Sequence, residues 1–324
     1  MLVLSDTDLR RLLTPGECRA AMRAALAAFA DGDVQQPAER PVLAPPGAAG
    51  LLGLMPAYAS APEPAYGLKA VCLFPGNTAR GLDSHQGAVL LFSGHTGEPL
   101  ALLNASTVTE LRSPAVTAVA TELLARDDAT ELVIFGTGVQ GVAHARALAR
   151  VRPFTRIRML GRDAARTRAV CERLRAELDM PVEPAASPRV AVASADVVVT
   201  ATTSPDPVVR REWLRPGTHV NAIGAAVATS RELDTATMAD AAVFADSVPS
   251  VAAEAGDYVL AAAETKVELR ASIGDVLTGR AVGRTGPDEL TVFKSVGLAV
   301  EDLCTARHAY ALARRHGVGT EVGL

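Results

Sequence analysis

The spacing of apolar positions changes along the chain. Over residues 6–31 they recur at helical intervals, with Ser5 or Thr14 placed to cap one or two helices. Residues 41–62 carry no charge, but Pro41, Pro45, Pro46, Gly47, Gly50, Gly53 and Pro56 would break a membrane helix repeatedly. That segment reads as a loop with short strands. A strand-rich block follows over 67–74, 87–92 and 99–103, with Thr96-Gly97-Glu98 marking a hairpin between the last two. A helix rich in Ala and Thr is predicted over 113–125. From residue 131 onward, short apolar runs (132–135, 196–201, 218–223 and 242–245) alternate with helical stretches, the pattern of buried parallel strands in a doubly wound sheet. A late strand over 289–294 and a long amphipathic helix over 296–315 complete the series.

Composition agrees with two packed domains. Of 324 residues, 49% are hydrophobic and only 4% aromatic, which suits Val- and Leu-rich strands under helices. A net charge of −4, with acids and bases well mixed, argues against nucleic acid or a membrane surface as partner. Cys18, Cys72, Cys171 and Cys304 have neither metal-type nor disulfide-type spacing, so no metal site is expected and the thiols read as reduced. The opening MLVLSDTDLRRLL has acids where a secretion signal has bases, so the expected location is cytoplasmic.

The most specific motif is ELVIFGTGVQG at 131–141, where an apolar run ends directly in Gly136-x-Gly138-x-x-Gly141 and a helix over 139–150 follows. This is the dinucleotide fingerprint. Gly136 permits the tight turn, Gly138 lets backbone approach a pyrophosphate, and Gly141 lets helix pack on strand. The helix start then offers N–H groups to the phosphate at a positive helix end. The expected fold is therefore α/β, with a doubly wound Rossmann domain over 114–297 and an α+β domain formed by 1–113 with 298–324.

About 20 residues past the fingerprint, an acid usually receives the ribose 2′-OH of NAD. Here the second strand, 156–160, ends in Gly161 and Arg162, with Arg166 one turn later and Asp163 placed to cap the next helix. A guanidinium there suits a 2′-phosphate. NADP(H) is the expected cofactor, with NAD(H) possible if both arginines are merely solvated.

Three basic residues precede the fingerprint in unusual places. Lys69 lies within an apolar strand and must reach solvent, a cleft or a partner. Arg112 sits at a strand-to-helix junction before Ser113-Pro114, and Arg40 adjoins Pro41. Each alone could be a surface charge. Together they form an anion pocket in which an arginine can grip a carboxylate through two parallel bonds, and Lys69 can contact it or supply a proton. His85, His95, His144 and His219 lack metal spacing; His144 and His85 read as packing or hydrogen-bonding residues.

The segments GLKAVCLFPGN, HQGAVLLFSGHTGEPLALLNASTVTELRSPAVTAVAT, FGTGVQG, HVNAIGA and FKSVGLAVEDL resemble, in order and over nearly the whole chain, the ornithine cyclodeaminase/mu-crystallin family. The resemblance implies an enzyme using NAD or NADP to interconvert amino and imino acids, with substrate contacts and a homodimer interface on the second domain. By position it implies substrate-carboxylate roles for Arg40, Lys69 and Arg112. Cofactor contacts are implied for Ser84, Arg112, Ser113, Gly138, Val139, Gln140, Thr202, Asn221, Ile223 and Gly224. Ser295 and Val296 are implied beside the nicotinamide and substrate. Ser84 and Ser113 stand where the family commonly has threonine. One departure bears on the reaction: where cyclodeaminases and the related alanine dehydrogenases carry an acid that moves the proton, this chain has Ala226 within Gly224-Ala225-Ala226-Val227. The ketimine reductase-like branch also lacks that acid. The expected reaction is thus reduction of a small cyclic 2-imino acid, with Lys69 and Arg112 as catalytic residues. Two alternatives stay open. One is a cyclodeaminase or amino-acid dehydrogenase using Glu232, Asp234 or Lys69 as acceptor, and the other a non-catalytic NADP(H)-dependent binding protein.

Overall fold

The computed structural model describes residues 1–38 and 40–323. In chain order the first elements are β1 (Leu2–Leu4), α1 (Asp6–Leu12), α2 (Pro15–Asp31), β2 (Val34–Gln35), β3 (Val42–Leu43), β4 (Leu51–Ala59), β5 (Ala65–Leu73), β6 (His85–Ser93), β7 (Pro99–Asn104) and α3 (Ala105–Leu124). Both expected caps are made: the Ser5 hydroxyl accepts the Asp8 N–H at 3.3 Å and the Thr14 hydroxyl the Glu17 N–H at 3.2 Å. The hairpin forms at Gly97, whose φ of +75° only glycine adopts without strain.

Two expectations need correction. Residues 41–62 hold the nine-residue strand β4, paired along its whole length with β5. On its other side β2 meets Tyr58 and Ala59 while β3 meets Leu52 and Gly53. Pro56 therefore falls between two short partners, where no ladder needs its missing N–H. Helix α3 starts at Ala105 rather than 113 and runs through Pro114. Its start is set by Asn104, whose side chain accepts the Thr107 N–H at 2.9 Å. Arg112 is thus mid-helix.

The chain continues through β8 (Glu131–Phe135), α4 (Val139–Leu148), β9 (Arg156–Leu160), α5 (Ala164–Leu178), β10 (Val182–Pro184), α6 (Pro188–Ala193), β11 (Val197–Thr200) and β12 (His219–Ala222). Then follow α7 (Thr235–Asp240), β13 (Ala242–Ala245), α8 (Val248–Glu254), α9 (Gly256–Glu264), β14 (Leu269–Ser272), α10 (Ile273–Leu277), β15 (Thr291–Lys294), α11 (Ala299–His316) and β16 (Thr320–Glu321). Strands β10 and β14 were not evident in the sequence.

Two compact units result, one comprising Met1–Arg112 with the chain from Leu298 onward, the other Ser113–Gly297. The first is built on a mixed sheet ordered β16-β1-β7-β6-β5-β4-β2, with β3 beside β4. Helix α11 packs on one face of it, against β4, β5 and β6. Alternation then sorts the strands: Met55, Lys69 and Val89 pair across neighbouring strands on the covered face and are buried. Leu54, Pro56, Leu68, Ala70 and Leu90 lie on the opposite face, half-buried.

The second unit is an all-parallel sheet ordered β10-β9-β8-β11-β12-β15-β13-β14. Leu132, Ile134, Val197 and Val199 pack on one side, and Val133, Phe135, Val198 and Val220 on the other. Both faces being covered explains the unbroken apolar runs. The order reverses between β8 and β11, so the ligand crevice of such a sheet lies at the carboxyl ends of these strands. No helix among the described residues is long and apolar enough to cross a membrane.

Candidate active-site residues

In the first unit, the basic residues and two acids form one cluster. Gly67 makes it possible. A Cβ there would sit 2.9 Å from a Leu303 methyl, so glycine lets α11 lie close on β5. Two residues on, and on the same face, the Lys69 Nζ lies 2.8 Å from Asp302 Oδ2 and donates to Thr109 Oγ1 at 3.3 Å. The Arg112 Nε donates to Asp302 Oδ1 at 3.2 Å, and one terminal nitrogen to Glu301 Oε2 at 2.6 Å. Lys69, Arg112, Glu301 and Asp302 are all buried. Of solvent, a cleft or a partner, Lys69 meets a partner: it is paired internally with Asp302. Arg112 is not the open two-bond fork expected, because two of its nitrogens are engaged by the chain's own acids. An ammonium has three N–H groups, and among the described residues Lys69 has two partners. One N–H is left without a partner among the described residues.

Burial pushes the Lys69 ammonium down from its usual range; Asp302 opposes this, while the charges of Arg112 and Arg40 reinforce it. Burial alone would raise the Asp302 carboxyl, but Lys69 and Arg112 together hold it below the usual carboxylate range. Arg40, half-buried, is thus close enough to act on Lys69 electrostatically. The Ser84 hydroxyl lies 3.0 Å from His85 Nδ1.

In the second unit, most fingerprint-related residues gather at the carboxyl ends of the parallel strands. Gly136 has φ +116°, and a Cβ there would lie 2.3 Å from the Ala201 carbonyl oxygen. A Cβ on Gly141 would lie 2.0 Å from the Gly136 oxygen. Gly138 differs: a Cβ there would meet no protein atom within 4 Å. It is also the N-cap of α4 and supplies no side-chain cap. Backbone N–H groups around Val139 and Gln140 thus border open space at a positive helix end, which suits a pyrophosphate. At the tip of β9, Asp163 caps α5 by accepting the Arg166 N–H at 3.0 Å, while Arg162 and Arg166 are exposed.

Two buried acids organise the remaining tips. Glu232 accepts the Thr202 N–H at 2.6 Å, the Thr202 hydroxyl at 2.7 Å and the Gly224 N–H at 2.7 Å. Burial pushes its carboxyl up, with Lys294 pulling the other way. Asp246 accepts the Ser295 hydroxyl at 2.7 Å, the Val296 N–H at 2.8 Å and the Gly297 N–H at 2.9 Å. Ile223 continues the ladder from β12, its N–H on the Thr200 oxygen. Asn221 stands apart: its amide donates to Thr121 Oγ1 at 3.0 Å and its oxygen lies 3.1 Å from His219 Nε2, wholly inside the core. Ser113, half-buried, lies on α3. His144 is fully buried between Thr117 Oγ1 and the Gln140 carbonyl, a structural role.

Sequence reasoning missed Glu301, Asp302, Thr109 and Asp246, and gave Glu232 only as an alternative proton acceptor. The helix α7 begins after Asp234, which is its N-cap, so Glu232 lies outside it. A signal for Asp302 did exist: with Ala306, Ala309 and Ala313 it falls on the buried stripe of α11.

The model of the ornithine cyclodeaminase/mu-crystallin family matches residues 1–316. The ketimine reductase mu-crystallin of Mus musculus is 37% identical over 292 residues, 89% of this chain and 90% of the relative. The Delta(1)-pyrroline-2-carboxylate reductase of Thermococcus litoralis, solved with NADH and L-proline, superposes with a TM-score of 0.95 at 34% identity, covering 99% of this chain and all of that one. An archaeal alanine dehydrogenase dimer with bound NAD superposes with a TM-score of 0.93 at 29% identity, covering 100% of this chain and 99% of that one. The chain belongs to the ornithine cyclodeaminase/mu-crystallin family.

Proposed function

We propose that this family member is a nicotinamide-dependent reductase that converts small cyclic 2-imino acids, such as pyrroline- or piperideine-2-carboxylate, into the amino acids. The observation that carries this reading is that neither acid following Ala226, Glu232 or Asp234, is available for deamination. Ala226 stands in the acid's place. Both oxygens of Glu232 are taken by Thr202 and Gly224, and Asp234 caps α7 and accepts the Arg211 N–H. None of these can accept a proton from a substrate ammonium without dismantling its loop. A preformed imine does not need such a base.

Gly136, Gly138 and Gly141, with the N–H groups of Val139 and Gln140, would hold the pyrophosphate. Thr202, Ile223, Gly224, Ser295 and Val296 would flank the nicotinamide half, with Ser84 and Ser113 as further contacts. Reduced nicotinamide, when bound, supplies the hydride to the C=N carbon. Arg162 and Arg166 favour NADP(H) over NAD(H), since two exposed guanidinium groups at the β9 tip suit a 2′-phosphate. Lys69 contributes its uncommitted N–H, either to the substrate carboxylate or as a proton to the imine nitrogen. Arg112 and Arg40 supply positive charge around it, with Arg112 held rigid by Glu301 and Asp302.

The half-buried apolar face of β4, β5 and β6 opposite α11 supports a homodimer, with a second copy covering it. The four free cysteines suit a reducing compartment, the cytoplasm.

The test follows NADPH and NADH oxidation with pyrroline- and piperideine-2-carboxylate between pH 5 and 8. Turnover with either imine, and no ammonia release from ornithine, lysine or alanine, is expected. Ammonia release without imine reduction would reverse the assignment.

A further inference from the structure

We propose that Glu232 is a positioning residue that fixes the nicotinamide half of the cofactor site, leaving the adenosine half untouched. This rests on the reading above that the second unit binds a nicotinamide dinucleotide.

The carboxylate of Glu232 joins two strand tips through its side chain. One oxygen receives the Thr202 N–H and hydroxyl after β11; the other receives the Gly224 N–H after β12. The Thr202 hydroxyl itself takes the Ser204 N–H at 3.1 Å, which fixes it as a donor toward Glu232. The two tips are closed so tightly that only glycine fits at 224. A Cβ there would lie 2.3 Å from the Thr202 carbonyl oxygen and 2.5 Å from Glu232 Oε1.

Glu232 is held in turn. Asp257 Oδ1 accepts the Glu232 and Leu233 N–H groups at 2.7 and 2.8 Å, and its other oxygen lies 2.9 Å from Lys294 Nζ on β15. All three side chains are fully buried. A rigid chain of bonds thus runs from the end of β15 through Asp257 and Glu232 to the tips of β11 and β12.

Those tips lie on one side of the point where strand order reverses. A dinucleotide in a doubly wound sheet straddles that point, one mononucleotide on each half. The glycine turn after β8 and Arg162 after β9 belong to the adenosine half, so β11 and β12 carry the nicotinamide half. An acid with no exposure cannot contact the cofactor, but it sets the backbone that does.

Glu232→Gln separates this role from general stability. The amide keeps one accepting oxygen and turns an NH2 toward the other loop's N–H, so one tip is released. Binding of NADPH and NADH is measured by nicotinamide fluorescence. Binding of 2′-phospho-ADP-ribose and ADP-ribose, which lack the nicotinamide, is measured by calorimetry. The nicotinamide cofactors should weaken about 10- to 100-fold, the span of one charge-assisted hydrogen bond, while the adenosine fragments stay within about twofold. Glu232→Asp, with two oxygens, should recover part of the loss. Equal weakening of both probe classes, or no weakening of either, overturns the proposal. Should Glu232→Gln not fold, Thr202→Val against Thr202→Ser poses the same question: a selective loss in Val that Ser restores supports the role, and its absence refutes it. Wild-type protein that binds none of the four probes would instead sink the functional reading.

Discussion

Asn in place of Asp302 keeps the shape of the side chain and removes its charge. Lys69 lies 2.8 Å and Arg112 Nε 3.2 Å from this carboxylate, all of them buried. At an effective dielectric of about 20, unit charges 2.8 Å apart attract by about 6 kcal/mol, much of it offset by desolvation. Removing one partner leaves that desolvation uncompensated, and buried pairs broken in this way lose about 3 to 5 kcal/mol. Arg112 retains Glu301 at 2.6 Å, so the loss falls chiefly on Lys69. Asp302→Asn should therefore lower Tm by about 6 to 20 °C in calorimetry at pH 7. Lys69→Met combined with Asp302→Asn removes both charges and should recover a good part of the stability while remaining inactive. The double-mutant cycle should give a coupling of at least about 1.5 kcal/mol.

The pH dependence has a definite sign. Lys69 is held below the usual lysine value of 10.5, so the folded chain releases this proton at lower pH than the unfolded one. Stability from this group therefore rises with pH between its folded value and 10.5, and Asp302→Asn widens that window downward. Asp302 acts at the other end: its depressed carboxyl contributes stability above the ordinary carboxylate range that is lost as pH falls through its folded value. A loss below about 1 kcal/mol in Asp302→Asn, or strictly additive effects in the cycle, would refute the pairing as the cluster's organising contact.

Arg162→Gln with Arg166→Gln should raise the KM for NADPH about 10- to 100-fold and leave that for NADH unchanged, as steady-state kinetics would show. His219 and His144 are buried neutral, with burial pushing them down to about 3 and about 4 from 6.5. The unfolded chain takes up these protons first, so stability should fall as pH drops from 6.5 toward those values, by on the order of 3 to 5 kcal/mol for each histidine. Urea midpoints across that range would check the slope, and a flat profile would contradict it. Leu90→Glu, on the open face of the first sheet, should shift the protein toward monomer in analytical ultracentrifugation with little change in Tm. An unchanged sedimentation coefficient would place any dimer contact elsewhere.

The legible parts of the sequence were those written locally. The glycine turn at 136–141 was identifiable because strand, turn and helix lie side by side in the chain. The Ser5, Thr14 and Asp163 caps were legible for the same reason. Strand β4 was hidden because Gly53 and Pro56 contradict strand propensity, and only its interrupted outer edge makes Pro56 acceptable. The start of α3 was displaced because Ser113-Pro114 resembles a helix beginning more than Asn104 does. The acids were hidden by distance: Arg112 meets Asp302 across 190 residues, and Glu232 bonds to Thr202 across 30. Nothing in a local window separates an acid that will be buried from one at a solvated helix start.

These buried acids also narrow the chemistry. Asp302 and Glu301 neutralise Lys69 and Arg112; Glu232 and Asp246 hold backbone N–H groups at the strand tips. Each is occupied as an acceptor by donors of the chain itself, so none is a free base. What remains is Lys69, whose ammonium burial pushes down against the pull of Asp302, and which keeps one N–H without a partner among the described residues. A charged amine gives protons and binds anions; it does not take a proton from another ammonium. Chemistry that begins with an amino acid needs a base where this chain has Ala226. Chemistry that begins with an imine needs an anion contact and a proton, and Lys69 can provide either.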